Sequence, residues 1–211
     1  MADCDSLFDV VRKRRTARAY ASRPVSRKAV QAVLEWARWA PSAANRQPWE
    51  FIVIDDGATK ERLRQAFVAE GAAHDRQYQS VTAKQAELLS APVLIAVCGD
   101  PGAKARFINA TEIPEANREE LFLMSLGAAI QNILLAAANL GLCSTWMARL
   151  ARVPGAREIL QVPSALRLVS FVVLGYGTDP PFDEALRVPV ARKTHYRAFG
   201  HQDAPPTELL P

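Results

Sequence analysis

Apolar residues recur at helical spacing in some segments of the chain and form short continuous runs in others. Helical spacing predicts helices at 6–15, 26–40, 60–69, 77–89 and 154–160. Runs of β-branched and aromatic residues predict strands at 50–54, 93–97, 144–147 and 168–174. Ser26 precedes the second helix, and its side-chain oxygen is expected to accept a hydrogen bond from a first-turn N–H. Neither a linker nor an internal repeat interrupts the pattern, so we expect one domain over 1–211.

One apolar stretch is long enough to raise the question of a membrane. Residues 121–148 include no charged side chain and exceed the length that spans a bilayer. Gln131, Asn132 and Asn139 interrupt the stretch, and Gly141 is expected to end its helix. A helix that is apolar on most faces is also typical of a buried central helix or a dimer interface. We therefore predict a buried helix here and no membrane partner.

The composition is that of a globular protein with a small excess of basic residues. Of the 211 residues, 49% are hydrophobic and 23% are charged, which excludes wholesale disorder. The formal net charge of +4 favours an anionic small molecule and is weak support for nucleic acid. The three cysteines have no CxxC or Cys/His spacing, so neither a disulfide scaffold nor a zinc site is expected. No apolar leader precedes the first helix, and we expect a cytoplasmic protein.

Motifs of the commonest nucleotide, hydrolase and metal sites do not occur in the sequence. There is no GxGxxG, GxxxxGK[ST], GxSxG or HExxH pattern. The three histidines, at 74, 195 and 201, do not have the spacing of metal ligands. Any chemistry is therefore expected to come from a bound cofactor, because the chain shows no nucleophile of its own.

Two segments are rich in groups that bind anions or polar ligands. Residues 12–18, RKRRTAR, bring five basic side chains and a hydroxyl to the end of the first helix. Such a run is commonly a solvated set of cations at a helix C-terminus. Arginine forks beside a hydroxyl are also the groups that bind a phosphate monoester. Residues 40–51, APSAANRQPWEF, have two prolines, two amide side chains and no glycine, which indicates a loop of fixed shape.

These segments and several others resemble the motifs of the nitroreductase family. Residues 14–20, RRTARAY, followed by Pro24-Val25, resemble its RRSxRxF…PV opening. Residues 41–49, PSAANRQPW, resemble its PSxxNxQPW signature. Later family motifs are similar to residues 127–137, 141–146, 174–176 and 187–195. The resemblance runs in the family's order through nearly the whole chain.

The resemblance implies an α+β fold in which helices flank a central mixed β-sheet. It also implies an intertwined homodimer with an extended C-terminal tail and one FMN at each of two interface sites. The implied activity is hydride transfer from NAD(P)H to N5 of FMN. An electron-poor acceptor, such as a nitroaromatic or a quinone, is then reduced at the same flavin face in a ping-pong mechanism.

Position by position, the resemblance implies which residues bind the cofactor. Arg14, Arg15 and Thr16 match positions that bind the FMN phosphate and ribityl chain. Arg18 matches a basic position near the N1/O2 edge, where a cation stabilises the reduced flavin. The other implied positions are Pro41, Ser42, Ala43, Asn45 and Gln47 in a loop that reaches the partner's flavin, the backbone of Ala148 and Arg149 near N5, and Arg187 at the phosphate. No side chain is expected to act as a catalytic acid, base or nucleophile.

The sequence departs from the family pattern at several positions. Arg149 stands where relatives often have glycine, and it is expected to bring a cation near the stacking face of the flavin. Ala185 stands where a second basic residue often precedes Arg187. The pattern fades between residues 99 and 118. Substrate contacts are expected from this segment, at Lys104, Arg106, Phe107 and Ile108.

Three alternatives remain open from the sequence. An FMN oxidase or dehydrogenase of a biosynthetic intermediate has the same fold, but NAD(P)H would not rapidly bleach its flavin. A nucleic-acid or partner-binding protein that uses the basic run would be colourless, and its binding would depend steeply on salt. A flavin-binding protein without turnover is the third alternative.

Overall fold

Helices and strands follow one another along the chain much as the hydrophobic pattern predicts. The structure is a computed structural model and describes residues 7–103, 114–178 and 186–201. The helices are α1 (Leu7–Lys13), α2 (Arg27–Arg38), α3 (Gly57–Ala72), α4 (Arg76–Ala86), α5 (Glu115–Asn139) and α6 (Ala156–Ile159). The strands are β1 (Trp49–Ile54), β2 (Val93–Gly99), β3 (Cys143–Met147) and β4 (Arg167–Gly175). All four predicted strands are present, each one or two residues longer than predicted.

The four strands form one sheet in the order β1-β2-β4-β3, and every neighbouring pair is antiparallel. The predicted α+β class is confirmed. The sheet differs from the implied mixed sheet, because parallel pairing among the described residues is limited to an isolated bridge between Thr16 and Ser144. The chain passes directly between the neighbours β1 and β2 and between the neighbours β3 and β4, whereas β2 and β4 pair across a longer connection that contains α5 and β3.

Both faces of the sheet are covered, and this explains why its central strands read as continuous apolar runs. Alternate residues of β2 point to opposite faces. Val93, Ile95 and Val97 pack in a cluster with α2 and α5. Leu94, Ala96 and Cys98 pack in a second cluster with α3 and the segment after β3.

Helix α5 is the long apolar helix that the sequence predicts, although it begins earlier and ends before β3. By length and composition alone it would be able to cross a membrane, but half of its most apolar stretch is buried in the fold. Leu126, Ile130 and Ile133 are buried against the sheet and α2. Helix α5 is therefore the central helix of the layer that it forms with α2 on one face of the sheet.

Side-chain caps begin three of the helices. Ser26 Oγ accepts from the Ala29 amide over 3.2 Å, as predicted for α2. Asp56 accepts from the Thr59 amide at the start of α3 over 2.7 Å. Asp75 begins α4 in the same way. Each cap satisfies a backbone N–H that has no partner inside its helix.

The chain divides into two compact units, Met1–Asp179 and Pro180–Pro211. In the second unit, residues 186–201 include one short 3-10 turn, Val190–Lys193. The Thr194 hydroxyl donates to the Val190 carbonyl over 2.9 Å. The single domain over 1–211 and the extended tail stay predictions.

Candidate functional site

The basic segment lies along the outer edge of β3. Thr16 forms a parallel bridge with Ser144, and the Ala17 amide donates to the Ser144 carbonyl over 3.3 Å. The buried Thr145 hydroxyl donates to the Ala17 carbonyl. Ala17 is buried, whereas Thr16 and Arg18 on either side of it are exposed. This alternation is that of an extended segment, so Thr16 and Arg18 face outward together.

Tyr20 fastens the far end of the same segment. Its hydroxyl lies 2.8 Å from the Thr145 hydroxyl. Because Thr145 gives its one proton to the Ala17 carbonyl, Tyr20 is the donor in this pair. Tyr20 also forms an antiparallel bridge with Gly177. The segment is therefore bound at both ends, and the half-buried Arg14 just before it is carried on a fixed backbone.

The proline-bounded loop before β1 is held by hydrogen bonds of its own. Ser42 Oγ accepts from the Gln47 amide over 2.9 Å, and the Ser42 carbonyl accepts from the Asn45 amide over 2.9 Å. The Gln47 side-chain amide donates to Asn45 Oδ1 over 3.1 Å. On α5, Ser125 Oγ accepts from the Ala43 amide over 3.3 Å. The bonds of Ser42 and Asn45 join the two ends of the loop to each other, and the bond from Ala43 to Ser125 joins the loop to α5.

Three residues of this loop have left-handed backbone without being glycine. The φ angles are 51° at Ala44 and 49° at both Asn45 and Gln47. This conformation costs an alanine roughly 1–2 kcal/mol and is easier for asparagine. Such backbone persists only where the surroundings hold it, and it is frequent in ligand-binding loops. The prediction of a loop of fixed shape is consistent with these angles.

The loop and the basic segment lie at opposite edges of the sheet. Gln47 leads through Pro48 into β1, one edge strand, whereas Thr16 lies outside β3, the other edge strand. The two edges are roughly 19 Å apart across the sheet, which is four interstrand spacings, and the two segments also lie toward opposite ends of the strands. The two sets of predicted cofactor ligands are therefore not brought together within one chain.

Ala148 and Arg149 follow β3 directly, on the same edge as the basic segment. Ala148 precedes a short 3-10 turn, Arg149–Arg152. Four residues of extended strand, about 13 Å, separate Ala148 from Ser144, the bridge partner of Thr16. The backbone of Ala148 and the basic segment thus share one side of the molecule.

The Arg149 side chain turns into the pair of helices α3 and α4. Its contacts are the Thr82 hydroxyl and Gln85 Oε1, to which it donates, the Glu70 carboxylate at 3.6 Å, and the rings of Phe67 and Tyr78 with centroids at 4.4 and 4.2 Å. The expected position of this cation near the stacking face of the flavin stays a prediction. The charge is paired with a carboxylate and stacked between two aromatic rings.

A solvent-open groove runs beside the loop. It lies between loop residues 43–48, the turn at 100–103 and the first half of α5, and it is shallow, with a volume of about 20 Å³ that holds little more than one water molecule. Its walls are mostly apolar, and Arg46, Asp100, Arg118 and Ser125 are its polar members. Arg46, the loop residue between Asn45 and Gln47, lines this groove.

The remaining predicted site residues fall elsewhere. Arg187 is exposed in the second unit, and its Nη1 donates to the neighbouring Leu186 carbonyl over 2.9 Å. The predicted substrate residues Lys104, Arg106, Phe107 and Ile108 lie outside the described residues. Among the described residues, no group of three His, Cys, Asp or Glu is arranged to bind a metal ion.

Four residues around the site were not singled out from the sequence for these roles. Thr145 and Tyr20 fasten the basic segment, Ser125 holds the loop, and Arg46 lines the groove. The first three act through bonds to distant parts of the chain, which local patterns do not encode. Arg46 had a local signal, since it is the one cation inside a loop of amides and prolines.

The fold and the two polar segments define a class of protein. Helices cover both faces of an antiparallel sheet, one edge presents arginines and a hydroxyl, and a strained loop presents amides at the other. This donor set is typical of an enzyme that binds a phosphorylated organic cofactor.

The chain belongs to the nitroreductase family, whose model matches residues 11–176. It is 32% identical to a provisionally named NADH dehydrogenase/NAD(P)H nitroreductase of Archaeoglobus fulgidus, over 85% of this chain and 88% of that one. It is 26% identical to the 4-nitrobenzoate reductase of Pseudomonas putida, over 92% and 97%. A provisional nitroreductase of Desulfovibrio desulfuricans, solved in complex with FMN, is 28% identical with a TM-score of 0.68, over 92% and 98%. Family membership identifies the chain as an oxidoreductase.

Proposed function

We propose that this protein is an FMN-dependent NAD(P)H oxidoreductase that reduces an electron-poor small molecule, such as a nitroaromatic or a quinone. The observation that carries the proposal is the basic segment fixed along β3 in a chain of the nitroreductase family. Bound FMN would supply the redox chemistry, taking hydride from NAD(P)H and passing electrons to the acceptor. The protein would supply binding, orientation and electrostatics.

The groups at the β3 edge fit the phosphate end of FMN. Arg14, Arg15 and the Thr16 hydroxyl offer charge-assisted and neutral donors to a phosphate monoester. Arg18 faces outward beside Thr16, where its charge would stabilise negative charge on the reduced flavin. The span of about 13 Å from Ser144 to Ala148 suits a ligand that extends from a phosphate to a ring system. The Ala148 backbone would lie near the ring end.

The loop before β1 fits the polar edges of a flavin. Ser42, Asn45 and Gln47 offer hydroxyl and amide groups that both donate and accept. Prolines and the bonds of Ser42 hold these groups in place before any ligand arrives, and this preorganisation lowers the cost of binding. Pro41 and Ala43 would contribute backbone at the same edge.

A second copy of the chain would bring these two donor sets together. Within one chain they lie at opposite edges of the sheet, and a homodimer places the loop of one protomer against the β3 edge of the other. From Leu121 onward, helix α5 has no charged residue on its outer face, which suits this association. Met124 is 69% exposed, and a Cβ built at Gly127 would meet nothing within 4 Å. Leu7 of the neighbouring α1 is also 69% exposed.

Turnover would follow a ping-pong order, because a single open flavin face cannot bind reductant and acceptor at once. The visible spectrum of the purified protein, before and after NADH or NADPH under nitrogen, tests the function. We expect a yellow protein that bleaches within seconds and recovers its colour on addition of a nitroaromatic or quinone. A colourless protein would contradict the cofactor. A flavin that NAD(P)H does not bleach would instead favour an oxidase or a flavin carrier.

A further inference from the structure

The side chain of Arg149 is held by two helices that lie outside the proposed cofactor site. Its guanidinium carbon lies 4.4 Å from the centroid of the Phe67 ring on α3 and 4.2 Å from that of the Tyr78 ring on α4. Such stacking over aromatic rings is favourable for an arginine. The guanidinium also donates to Thr82 and Gln85 on α4. All four partners belong to α3 or α4, and none of them belongs to the turn that carries Arg149.

A carboxylate completes this cluster. Glu70 on α3 lies 3.6 Å from Arg149 Nη2, and it accepts from the Tyr78 hydroxyl over 3.2 Å. The side chains of Arg149 and Glu70 are only 24% and 20% exposed. Breaking a buried ion pair by removing one member is costly. The guanidinium is therefore held firmly in its place between the helices.

The backbone of Arg149 lies at the ring end of the proposed flavin site. Ala148, directly before it, is exposed. On one side, Ala148 follows Met147, the last residue of β3 that pairs with β4. On the other side it is followed by Arg149, whose side chain is held by the helices. The exposed peptide between Ala148 and Arg149 is thus fastened by the sheet before it and by the guanidinium after it.

We propose that Arg149 is a positioning residue for the cofactor: its side chain, held between α3 and α4, fixes the Ala148–Arg149 peptide against which the ring end of FMN binds. The inference rests on the proposed function, because it concerns the ring end of the same FMN site. Backbone that is fixed before the ligand arrives lowers the cost of binding. Glycine, which relatives often have at this position, offers no side chain for such an anchor.

A purely structural role for Arg149 makes a different prediction. If the guanidinium served only as the cation for Glu70, neutralising both members of the pair would restore whatever the loss of Arg149 had changed. If it positions the peptide, neutralising both members would recover stability but would leave the peptide without its anchor. The double variant Arg149→Met/Glu70→Gln separates the two roles.

The experiment measures flavin affinity and stability on the same set of full-length proteins. Apoprotein is prepared from the unaltered protein, Arg149→Met, Arg149→Lys and the double variant, and each is titrated with FMN and with riboflavin. Arg152→Met is the matched control, because Arg152 is an exposed arginine in the same turn. Urea unfolding of each apoprotein gives its stability, and titrations are run where every protein is folded.

We expect Arg149→Met to weaken the binding of FMN and of riboflavin by the same factor, roughly 5- to 50-fold, because the two flavins share the ring end. The double variant should regain part of the stability and keep the full loss of flavin affinity. Arg149→Lys keeps the charge without the planar stack and should give an intermediate loss. Arg152→Met should change either affinity less than about threefold.

Three results would overturn the proposal. Recovery of flavin affinity together with stability in the double variant would make Arg149 a charge partner only. A loss confined to FMN would place its effect at the phosphate. Unchanged affinity for both flavins in Arg149→Met would show that the peptide needs no anchor. If Arg149→Met does not fold, the folded double variant decides the question, since a loss for both flavins supports the anchor and unchanged affinity refutes it.

Failure of the proposed function gives a different result. An unaltered apoprotein that binds neither flavin would contradict both the proposed function and the anchor. Equal losses for the two flavins, in a protein whose bound FMN is not bleached by NAD(P)H, would contradict the proposed activity and leave the anchor supported.

Discussion

At the scale of single residues, the proposed site depends on hydroxyl groups that bind backbone rather than ligand. Thr145 is buried and joins the Ala17 carbonyl to the Tyr20 hydroxyl. Ser125 holds the Ala43 amide from the core helix. Neither residue would touch the cofactor, but each sets the position of a segment that would.

We predict that Thr145→Val destabilises the protein by about 1–3 kcal/mol, because it removes the hydroxyl that bonds both the buried Ala17 carbonyl and the Tyr20 hydroxyl. FMN affinity should fall as well, since the basic segment loses its attachment to β3. Tyr20→Phe should cost less, because Thr145 still bonds Ala17. Urea unfolding of both single variants and the double variant measures this. Strictly additive losses would contradict a shared network.

Two arginines near the end of the chain allow a matched test of the phosphate site. From its motif we infer that Arg187 binds the phosphate, whereas Arg192 belongs to no family motif. We expect Arg187→Ala to weaken FMN binding by roughly 10- to 150-fold and riboflavin binding hardly at all, because riboflavin has no phosphate. Arg192→Ala should change FMN affinity less than about threefold. Titration of apoprotein with both flavins measures this, and equal losses for the two flavins would refute the assignment.

Cys98 on β2 gives a prediction for pH. Burial raises the pKa of its thiol from 9.0 to about 11. The folded protein keeps a proton that the unfolded chain loses, so the free energy of unfolding should fall as pH rises from about 9 to 11. Relative to Cys98→Ala, the native protein should lose about 2 kcal/mol between about pH 8 and pH 10.5. Urea titrations at both pH values test this, and a constant difference would contradict it.

At the scale of elements, one side chain joins the segment after β3 to two helices. Arg149 lies between the rings of Phe67 on α3 and Tyr78 on α4, with the Glu70 carboxylate beside it. The two helices approach closely here, because a Cβ at Gly71 would come within 2.4 Å of the Thr82 side chain. Because the Arg149 side chain is packed between α3 and α4, the contact of these two helices also helps to hold the neighbouring Ala148 backbone in place.

We predict that Arg149→Met costs about 1–3 kcal/mol of stability, because it leaves the partly buried Glu70 carboxylate without its cation. Adding Glu70→Gln to that variant should recover part of the loss. Arg152→Met, which follows in the same turn, is the control and should change little. Chemical unfolding of the set measures the coupling. A double variant as unstable as the sum of the single variants would show that the pair is not coupled.

At the scale of the whole molecule, the two halves of the proposed site require a second chain. We predict a homodimer, with twice the chain mass of 23.2 kDa in light scattering at micromolar concentration. Gly127→Leu should shift the mass toward the monomer, because a large side chain would block close approach of α5 to its counterpart. Gly57→Ala is the control, since a Cβ there also meets nothing within 4 Å and α3 is not part of the proposed interface.

The Gly127→Leu variant gives the opposite result if the protein is a monomer. In an isolated chain, Gly127→Leu meets no neighbour and replaces a poor helix former, so it should stabilise α5 by roughly 0.5–1 kcal/mol. A stable monomer with that gain would refute both the dimer and the shared site.

The sequence by itself determined the elements, the family and the candidate ligands. The strands were predictable because both faces of the sheet are covered, and this gives continuous apolar runs such as 93–97. The start of α2 was predictable because Ser26 caps it locally. The candidate ligands were predictable because they lie in contiguous motifs, in which the residue types alone indicate what the side chains can bind.

Only the tertiary structure decided where those ligands lie and what holds them. Tyr20 and Thr145 are 125 positions apart, and Ala43 and Ser125 are 82 apart, so no local pattern reveals either contact. The left-handed backbone of Gln47 was not predictable, because no glycine marks it. The opposite edges taken by the loop and the basic segment follow from strand order, which is set by long-range pairing and burial rather than by local periodicity.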